Sequence, residues 1–491
     1  MAARHGARKR SAGALGGGSG VLPQDSKGRE GKRGIRGTAS SLGLRGSYTG
    51  YCPLASPETD GRPIGSNAAP LPDVERIPLA GLEPADFFER FVLARRPVIL
   101  DVASSPDGPL AELLGLRGLA ARWARPGCEG AAAMAEGPAA EAPVVAERRA
   151  AASVAFGQSD AGERCSTTLG AVCKELASGS ELVYLTTQPL PEEDDGCPAA
   201  LAAPHVLALL RGARRLRPKL LGNLALAQLN LWLGRSAEGS SSGLHHDFHD
   251  NLYVLLRGAK EFRLFSPRCV DLLAPAGADH GRPKLHSNGL LCYVPGIRDD
   301  GAPQAVVRHW LRAGRGDDCR GADSDDEDDE AMLESLLEEK SSGRRRQGGR
   351  SKRREVHPER SLPDSFCRAS TLPNAARPLP EQLAGRHLTA RLSEGDLLYL
   401  PASWFHEVIS RGGGPGGHLA LNFWMAPPHA KGSFEQPYED SFWLEKFQVL
   451  HQAARASMEA SHGAPRLRGR GASTGAVRRA QPRKKPRAEK K

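Results

Sequence analysis

None of the nine cysteines, at 52, 128, 165, 173, 197, 269, 292, 319 and 367, forms a C-x-x-C pair. A zinc knuckle and a dithiol redox motif are thereby excluded, and a reducing intracellular compartment is expected. The chain also lacks a continuous apolar run of about eighteen residues, so no membrane helix is expected. Met1 to Arg10 is basic, but no apolar stretch of a secretory signal follows it. The Arg, Ser, Ala and Gly content of that leader leaves an organelle transit segment open. Aromatic residues are scarce, at 5%, whereas Gly numbers 56 and Pro 37 in 491 residues. Much of the chain is therefore expected to lie outside a packed core, and one folded domain with disordered decoration fits better than several compact ones.

The formal net charge of +10 gathers at the two ends, since the acids are concentrated in the interior. It speaks to partners and solubility, not to fold. Residues 1–72 read as a disordered basic leader, with order beginning near Val74. Residues 321–355 read as a charged, disordered insertion: the acidic run Asp323 to Glu330 precedes a short helical stretch, then Arg344-Arg345-Arg346 and Lys352-Arg353-Arg354. Opposed charge blocks this dense belong in solvent. A catalytic domain is expected over 73–450, and a disordered basic tail over 451–491. From 460 onward the tail holds eleven Lys or Arg against one acid, Glu489. Its last ten residues, from Pro482, suit a nuclear targeting element, a nucleic-acid anchor or a solubilising end. It lacks the interleaved aromatics that base stacking needs.

Within the domain, a short amphipathic helix is expected over 84–92, strands over 97–100 and 182–185, and another short helix near 206–210. From Leu229 the texture becomes short apolar runs at 229–233, 252–256 and 262–265, and, beyond the insertion, at 387–392, 397–401 and 419–424. Polar or glycine-containing connections separate them, the pattern of an antiparallel barrel or jelly roll. Arg257-Gly258-Ala259 reads as a hairpin link. Residues 441–450 have helical spacing, suited to packing on the domain or on a second subunit as a homo-oligomer contact.

Two segments carry chemistry: Ser242-Gly243-Leu244-His245-His246-Asp247, and far downstream Pro401-Ala402-Ser403-Trp404-Phe405-His406. In an extended segment His245 and Asp247 project to one face, because side-chain direction repeats every two residues. His406 follows a strand and a proline-led turn that could aim its ring inward. Two imidazoles and a carboxylate can hold a non-haem ferrous ion on one face and leave the other open. His246 and His249 are close enough to compete with His406; His246 should point away from such an ion, whereas His249 shares the parity of His245. Trp232, Trp404 and Trp424 read as core or cavity-wall groups.

An H-x-D triplet alone is common in proteins without metal. Its surroundings here, Ser242 through Tyr253 and then Gly258-x-Lys260-x-Phe262-x-Leu264-x-x-Pro267, resemble the central signature of the jumonji-C oxygenases. The late segment Gly395-Asp396-Leu397-Leu398-Tyr399-Leu400-Pro401, through Trp404 to Val408 and on to Asn422-Phe423-Trp424, resembles the family's second signature. The similarity covers roughly residues 74–450 without the insertion, and is greatest to the cupin-like branch with its stand-alone lysyl hydroxylases. The resemblance implies a mainly β fold, a double-stranded β-helix (jelly roll or cupin) core with flanking helices and disordered termini. It implies iron(II), 2-oxoglutarate and dioxygen, with His245, Asp247 and His406 as the iron ligands. Lys260 would pair with the distal carboxylate of 2-oxoglutarate, and Tyr184 would hydrogen-bond it. Ser242 and Asn251 would be polar contacts to the cosubstrate, and Asn422 the polar residue near the end of the barrel.

The activity so implied is hydroxylation of a protein side chain, lysine first, with succinate and carbon dioxide as coproducts. An N-methyl target on a histone or other protein would lose formaldehyde after hydroxylation and make the same site a demethylase. No PHD-like or Tudor-like reader and no zinc-binding cysteine cluster accompanies it, which favours hydroxylation. An RNA nucleoside hydroxylase and a non-enzymatic cupin binding module are the other readings. The expected partner is a protein substrate, histone or nucleic-acid-associated targets included, with no membrane, in nucleus or cytoplasm.

Overall fold

The computed structural model describes residues 48–460 apart from 49, 52–72, 103–106, 125–129, 152–161, 194–196, 315–361, 374, 376 and 415. The expected insertion at 321–355, the leader before Tyr48 and the tail beyond Ala460 lie outside the described residues. The strands are β1 (Arg76–Pro78), β2 (Val98–Asp101), β3 (Pro143–Arg149), β4 (Gly162–Thr168), β5 (Val183–Leu185), β6 (Leu226–Gly234), β7 (Ser236–Ser241), β8 (Asp250–Arg257), β9 (Ala259–Phe265), β10 (Lys284–Leu285), β11 (Leu291–Cys292), β12 (Leu388–Leu392), β13 (Leu397–Leu400), β14 (Phe405–Gly412) and β15 (His418–Met425). They form a large sheet in the order β1-β2-β13-β8-β15-β6-β5-β3-β4, a smaller one in the order β12-β9-β14-β7, and the separate pair β10-β11. The chain alternates between the two main sheets from β6 to β9 and again from β12 to β15, a mixed β architecture with flanking helices of the cupin-like kind.

The apolar runs differ in texture because the two sheets are covered differently. Every residue of β8 is buried. Tyr253 and Leu255 point to one face and join Phe262, Leu264, Leu388 and Ala390 of the small sheet. Leu252, Val254 and Leu256 point to the other and pack with Phe87, Phe91, Leu176 and Val206 from the helical layer. A strand covered on both faces reads as a continuous apolar run. β9 is covered on one face only, so Lys260, Phe262 and Leu264 turn inward while Glu261 and Arg263 remain less buried.

The expected hairpin at Arg257-Gly258-Ala259 is corrected by the pairing. β8 joins β13 and β15, whereas β9 joins β12 and β14, so Gly258 is a corner between sheets. It has φ +81°, and a Cβ there would stand 2.5 Å from the Arg411 carbonyl oxygen and 2.9 Å from His418 Cβ. Gly258→Val is expected to destabilise the fold by about 2–4 kcal/mol through backbone strain and this clash. Differential scanning calorimetry should show a lowered Tm, and an unchanged one would remove the corner's role.

Two expected boundaries also move. The terminal helix runs from Phe442 to Ala460, past the expected domain end at 450. Phe447, Leu450, Ala454 and Met458 recur at helical spacing and pack into the main core of the same chain. Inside the expected leader, Tyr48 is fully buried. Its hydroxyl donates to the Tyr51 carbonyl at 2.9 Å, and Tyr51 in turn stacks on Trp404. No described helix is long and apolar enough to cross a membrane.

Candidate metal centre

Residues 242–249 are not a strand, contrary to the expected extended edge; they link β7 to β8 across the sheets. The ligands converge through a local lock. The amide of His245 donates to the His406 carbonyl at 3.0 Å, and the amide of His406 donates back at 2.6 Å. Asp247 is held from the same side, its carbonyl accepting from the Ser403 amide at 2.7 Å. Ser403 has φ +65°, a left-handed conformation outside glycine that fits the tight turn expected ahead of His406.

His245, Asp247 and His406 each offer a ligand atom, all within 4.8 Å of one another. Nδ1 of His245 lies 2.9 Å from the Gly243 carbonyl, and Nδ1 of His406 lies 2.9 Å from the Trp404 carbonyl. A carbonyl only accepts, so both Nδ1 atoms carry the proton and both Nε2 lone pairs are left for a metal. Burial, and then the neighbouring His245, hold the His406 pKa well below its ordinary value, which keeps that ring neutral. The carboxylate of Asp247 sits 3.8 Å from His406 Nε2. This donor set, two nitrogens and one oxygen on one face, suits a non-haem ferrous ion.

The competing histidines are used elsewhere. His246 is fully buried and its Nε2 lies 2.6 Å from the Tyr293 hydroxyl. Burial depresses its pKa to about 3. His249 stacks on Trp424, with ring centroids 5.4 Å apart. Trp404 is core, while Trp232 and Trp424 are cavity wall.

The triad opens into a cavity of about 250 Å³ whose wall includes Lys260, Tyr184, Ser242 and Asn251. Strand register sets the positions: His406 pairs with Leu264, Val408 with Phe262 and Ser410 with Lys260. Lys260 thus lies four residues along the inner face from the ligand row, about 14 Å at ~3.4 Å per residue. Its side chain is 3% exposed, and its ammonium donates to Ser410 Oγ at 2.5 Å and lies 5.7 Å from the Tyr184 ring centroid. No carboxylate pairs with it among the described residues. A buried cation whose direct contacts are a hydroxyl and a phenol ring, facing a metal donor set across a cavity, fits a short dicarboxylate that chelates at one end.

The remaining expected contacts divide. Asn251 lines the cavity and accepts from Asn422 Nδ2 at 3.1 Å, which leaves its own amide nitrogen for a guest. Asn422 itself is not on the cavity wall. It is fully buried, accepting from Trp232 Nε1 at 3.1 Å and donating to Asn251, so the polar residue expected near the end of the barrel positions Asn251 and Trp232. Ser242 reaches the cavity, but its hydroxyl already donates to the Gly243 carbonyl and accepts from the Val408 amide. Tyr184 lies at the wall with its phenol pKa pushed up by burial and then by Glu147.

Sequence reasoning missed four supports. Ser410 is the partner of Lys260, and an i+4 step along β14 from His406 was the available signal. Phe366, from the segment that re-enters after the insertion, stacks on His245 at 4.7 Å. Glu407 is fully buried and accepts from Ser241, Ser370 and Thr371, which ties that segment to β14. Asp250 receives Arg95 at 2.6 and 2.8 Å, the Tyr399 hydroxyl at 2.7 Å and the Ala402 amide at 2.9 Å. An acid opening an otherwise apolar strand marked Asp250; nothing local marked Arg95.

The comparisons with known proteins agree with this geometry. The family described as "Cupin-like domain" matches residues 84–431. A protein of Schizosaccharomyces pombe named "JmjC domain-containing protein 4" is 28% identical over 350 residues, covering 57% of this chain and 73% of that protein. With the matched region spanning β2 to β15 and all three ligands, the chain belongs to the cupin-like domain family, and its jumonji-C-like centre is a facial triad of two histidines and an aspartate.

Proposed function

We propose that the protein is an iron(II)- and 2-oxoglutarate-dependent dioxygenase that hydroxylates a protein side chain, lysine first. The observation that carries the proposal is the pairing, in one cavity, of the oriented His245–Asp247–His406 donor set with the buried, carboxylate-free ammonium of Lys260. The strand alternation over β6 to β9 and β12 to β15 supports a double-stranded β-helix as the scaffold. When bound, the iron and 2-oxo acid would supply the oxidising chemistry that couples decarboxylation to hydroxylation. The chain's own part is to bind and orient. His245, Asp247 and His406 hold one face of the ion, Lys260 and Ser410 fix the far carboxylate, and Asn251 offers its amide to the guest. Glu147 and Arg164, opposite each other across β3 and β4, line the same cavity and present both signs of charge to a target side chain. The basic run at 483–491 supports nuclear residence within this reading.

The test incubates the full chain with iron(II), 2-oxoglutarate, dioxygen and lysine-containing peptides, following succinate and the peptide masses. Gain of one oxygen atom on lysine is the expected result. Formaldehyde release would move the assignment to demethylation, nuclease-sensitive turnover to RNA, and absence of succinate with every substrate to a binding module.

Lys260 yields a separate prediction on pH. Burial lowers its pKa to about 7, and a neighbouring carboxylate favours the charged form. Above pH 7, binding must therefore take up a proton, and 2-oxoglutarate affinity should weaken with rising pH, approaching tenfold per unit. The linkage to stability follows from the same lowered value. Between about 7 and the ordinary 10.5 the unfolded chain holds the proton and the fold does not. The penalty on folding is thus fully present below about 7 and fades as pH rises toward 10.5. Lys260→Ala should weaken 2-oxoglutarate about 10- to 100-fold and flatten its pH dependence. Anaerobic calorimetry with manganese(II) in the site checks both, and a pH-dependent Lys260→Ala would remove the role.

A further inference from the structure

Resting on the protein-hydroxylase reading, we infer that a second cavity beside the triad is a subsite for an apolar side chain of the polypeptide substrate, a few residues along from the oxidised one. This cavity measures about 260 Å³ and is walled mainly by Phe248, Leu290, Val294, Ile297, Pro427 and Trp443. It adjoins the metal centre through single layers of side chain. Trp424 lines the metal cavity and stacks on His249, which lines the second. Pro363 and Ser365 face the first cavity and Asp364 the second. Phe248 directly follows the ligand Asp247 in sequence.

Two observations select an extended peptide as the occupant. Among the described residues, the large apolar side chains left exposed are Phe248 at 40%, Val294 at 38% and Val449 at 60%, and two of these three rim this cavity. Exposed apolar groups gathered at a concave site mark recognition, whereas scattered ones do not. A residue lining each cavity carries a buried indole N–H without a partner, Trp424 at the metal cavity and Trp443 at the second. Buried donors are ordinarily satisfied, so each calls for an acceptor from a guest. A polypeptide supplies both needs at once, carbonyl oxygens at every residue and an apolar side chain within reach. Because the partition is one side chain thick, the apolar residue should lie within about four positions of the target at ~3.4 Å per residue.

The test uses the full iron-loaded chain, 2-oxoglutarate, dioxygen and a lysine-centred peptide library randomised at the flanking positions, with oxygen gain read by mass spectrometry. At one flanking position, Leu, Ile, Met or Phe is expected to be enriched at least tenfold over Asp or Lys. Val294→Asp should erase that preference, and Trp443→Phe, which removes the N–H together with part of the ring, should raise KM for preferred peptides while kcat holds. Phe248→Ser provides an independent variant should Val294→Asp melt early. Oxidised peptides with no positional preference, or a preference that survives both Val294→Asp and Phe248→Ser, overturn the subsite while the hydroxylase reading stands. Failure of every peptide to gain oxygen overturns both. Concentration-dependent dimerisation abolished by Val294→Asp would assign the surface to a second copy of this chain, against the proposal.

Discussion

Asp247→Ala should leave a folded protein that neither retains iron(II) nor turns over. The two imidazoles would remain, each still oriented through its Nδ1 hydrogen bond to a carbonyl. What disappears is the anionic ligand that neutralises part of the ion's charge and completes the face. Loss even of an outer hydrogen-bond partner typically lowers metal affinity by about 10- to 100-fold, and deletion of a ligand should exceed the upper figure. The fold should survive because the anchoring contact of residue 247 is made by its backbone carbonyl to the Ser403 amide, which alanine preserves. Stability of the metal-free protein should stay within about 0.5 kcal/mol, since this carboxylate is not part of a packed core. Anaerobic titration of iron(II) and a thermal melt of the apoprotein separate the two effects. Wild-type metal affinity in Asp247→Ala would remove the triad assignment.

The contrast between what the sequence disclosed and what it hid follows from the range of the interactions. The ligand types were legible because H-x-D and the late histidine are short motifs with strong chemical content. Their convergence was argued from strand parity, yet 242–249 is a link between sheets, and it is the reciprocal backbone pairing of His245 with His406 that joins them. That pairing crosses the whole insertion and leaves no trace in local periodicity. Gly258 shows the same limit: a glycine between two apolar runs looks alike whether the chain folds back on its neighbour or crosses to a facing sheet. Asn422 was chosen by motif position, but whether a polar residue lines a cavity or braces its wall depends on neighbours from β6 and β8. Tyr48 was concealed by a glycine- and serine-rich setting in which a single aromatic anchor carries no periodic signal. By contrast, the extension of the terminal helix was present in the spacing of Leu450, Ala454 and Met458 and was cut short only by the basic run that follows.

Arg95→Met should destabilise the protein by about 3–5 kcal/mol, because it leaves the fully buried carboxylate of Asp250 without its cation. The Tyr399 hydroxyl and Ala402 amide would still donate to Asp250, but neither supplies charge. The damage should extend to the metal centre through the chain itself. Asp250 grips Ala402, Ala402 precedes the left-handed Ser403, and Ser403 holds the Asp247 carbonyl three residues before His406 enters its strand. Loss of the cation should therefore lower Tm and also weaken iron(II) binding, although Arg95 is not among the residues that line the cavity. A second substitution separates charge from packing. In Arg95→Met/Asp250→Asn the orphan carboxylate is gone, while an amide oxygen can still accept from Tyr399 and Ala402. The double variant should regain a substantial part of the lost stability and metal affinity, a coupling that a purely steric role for Arg95 would not produce. Calorimetric unfolding and iron titration of the wild type, both single variants and the double variant form a closed cycle. A double variant as unstable as the sum of its parts would show that the ion pair does not brace the ligand turn.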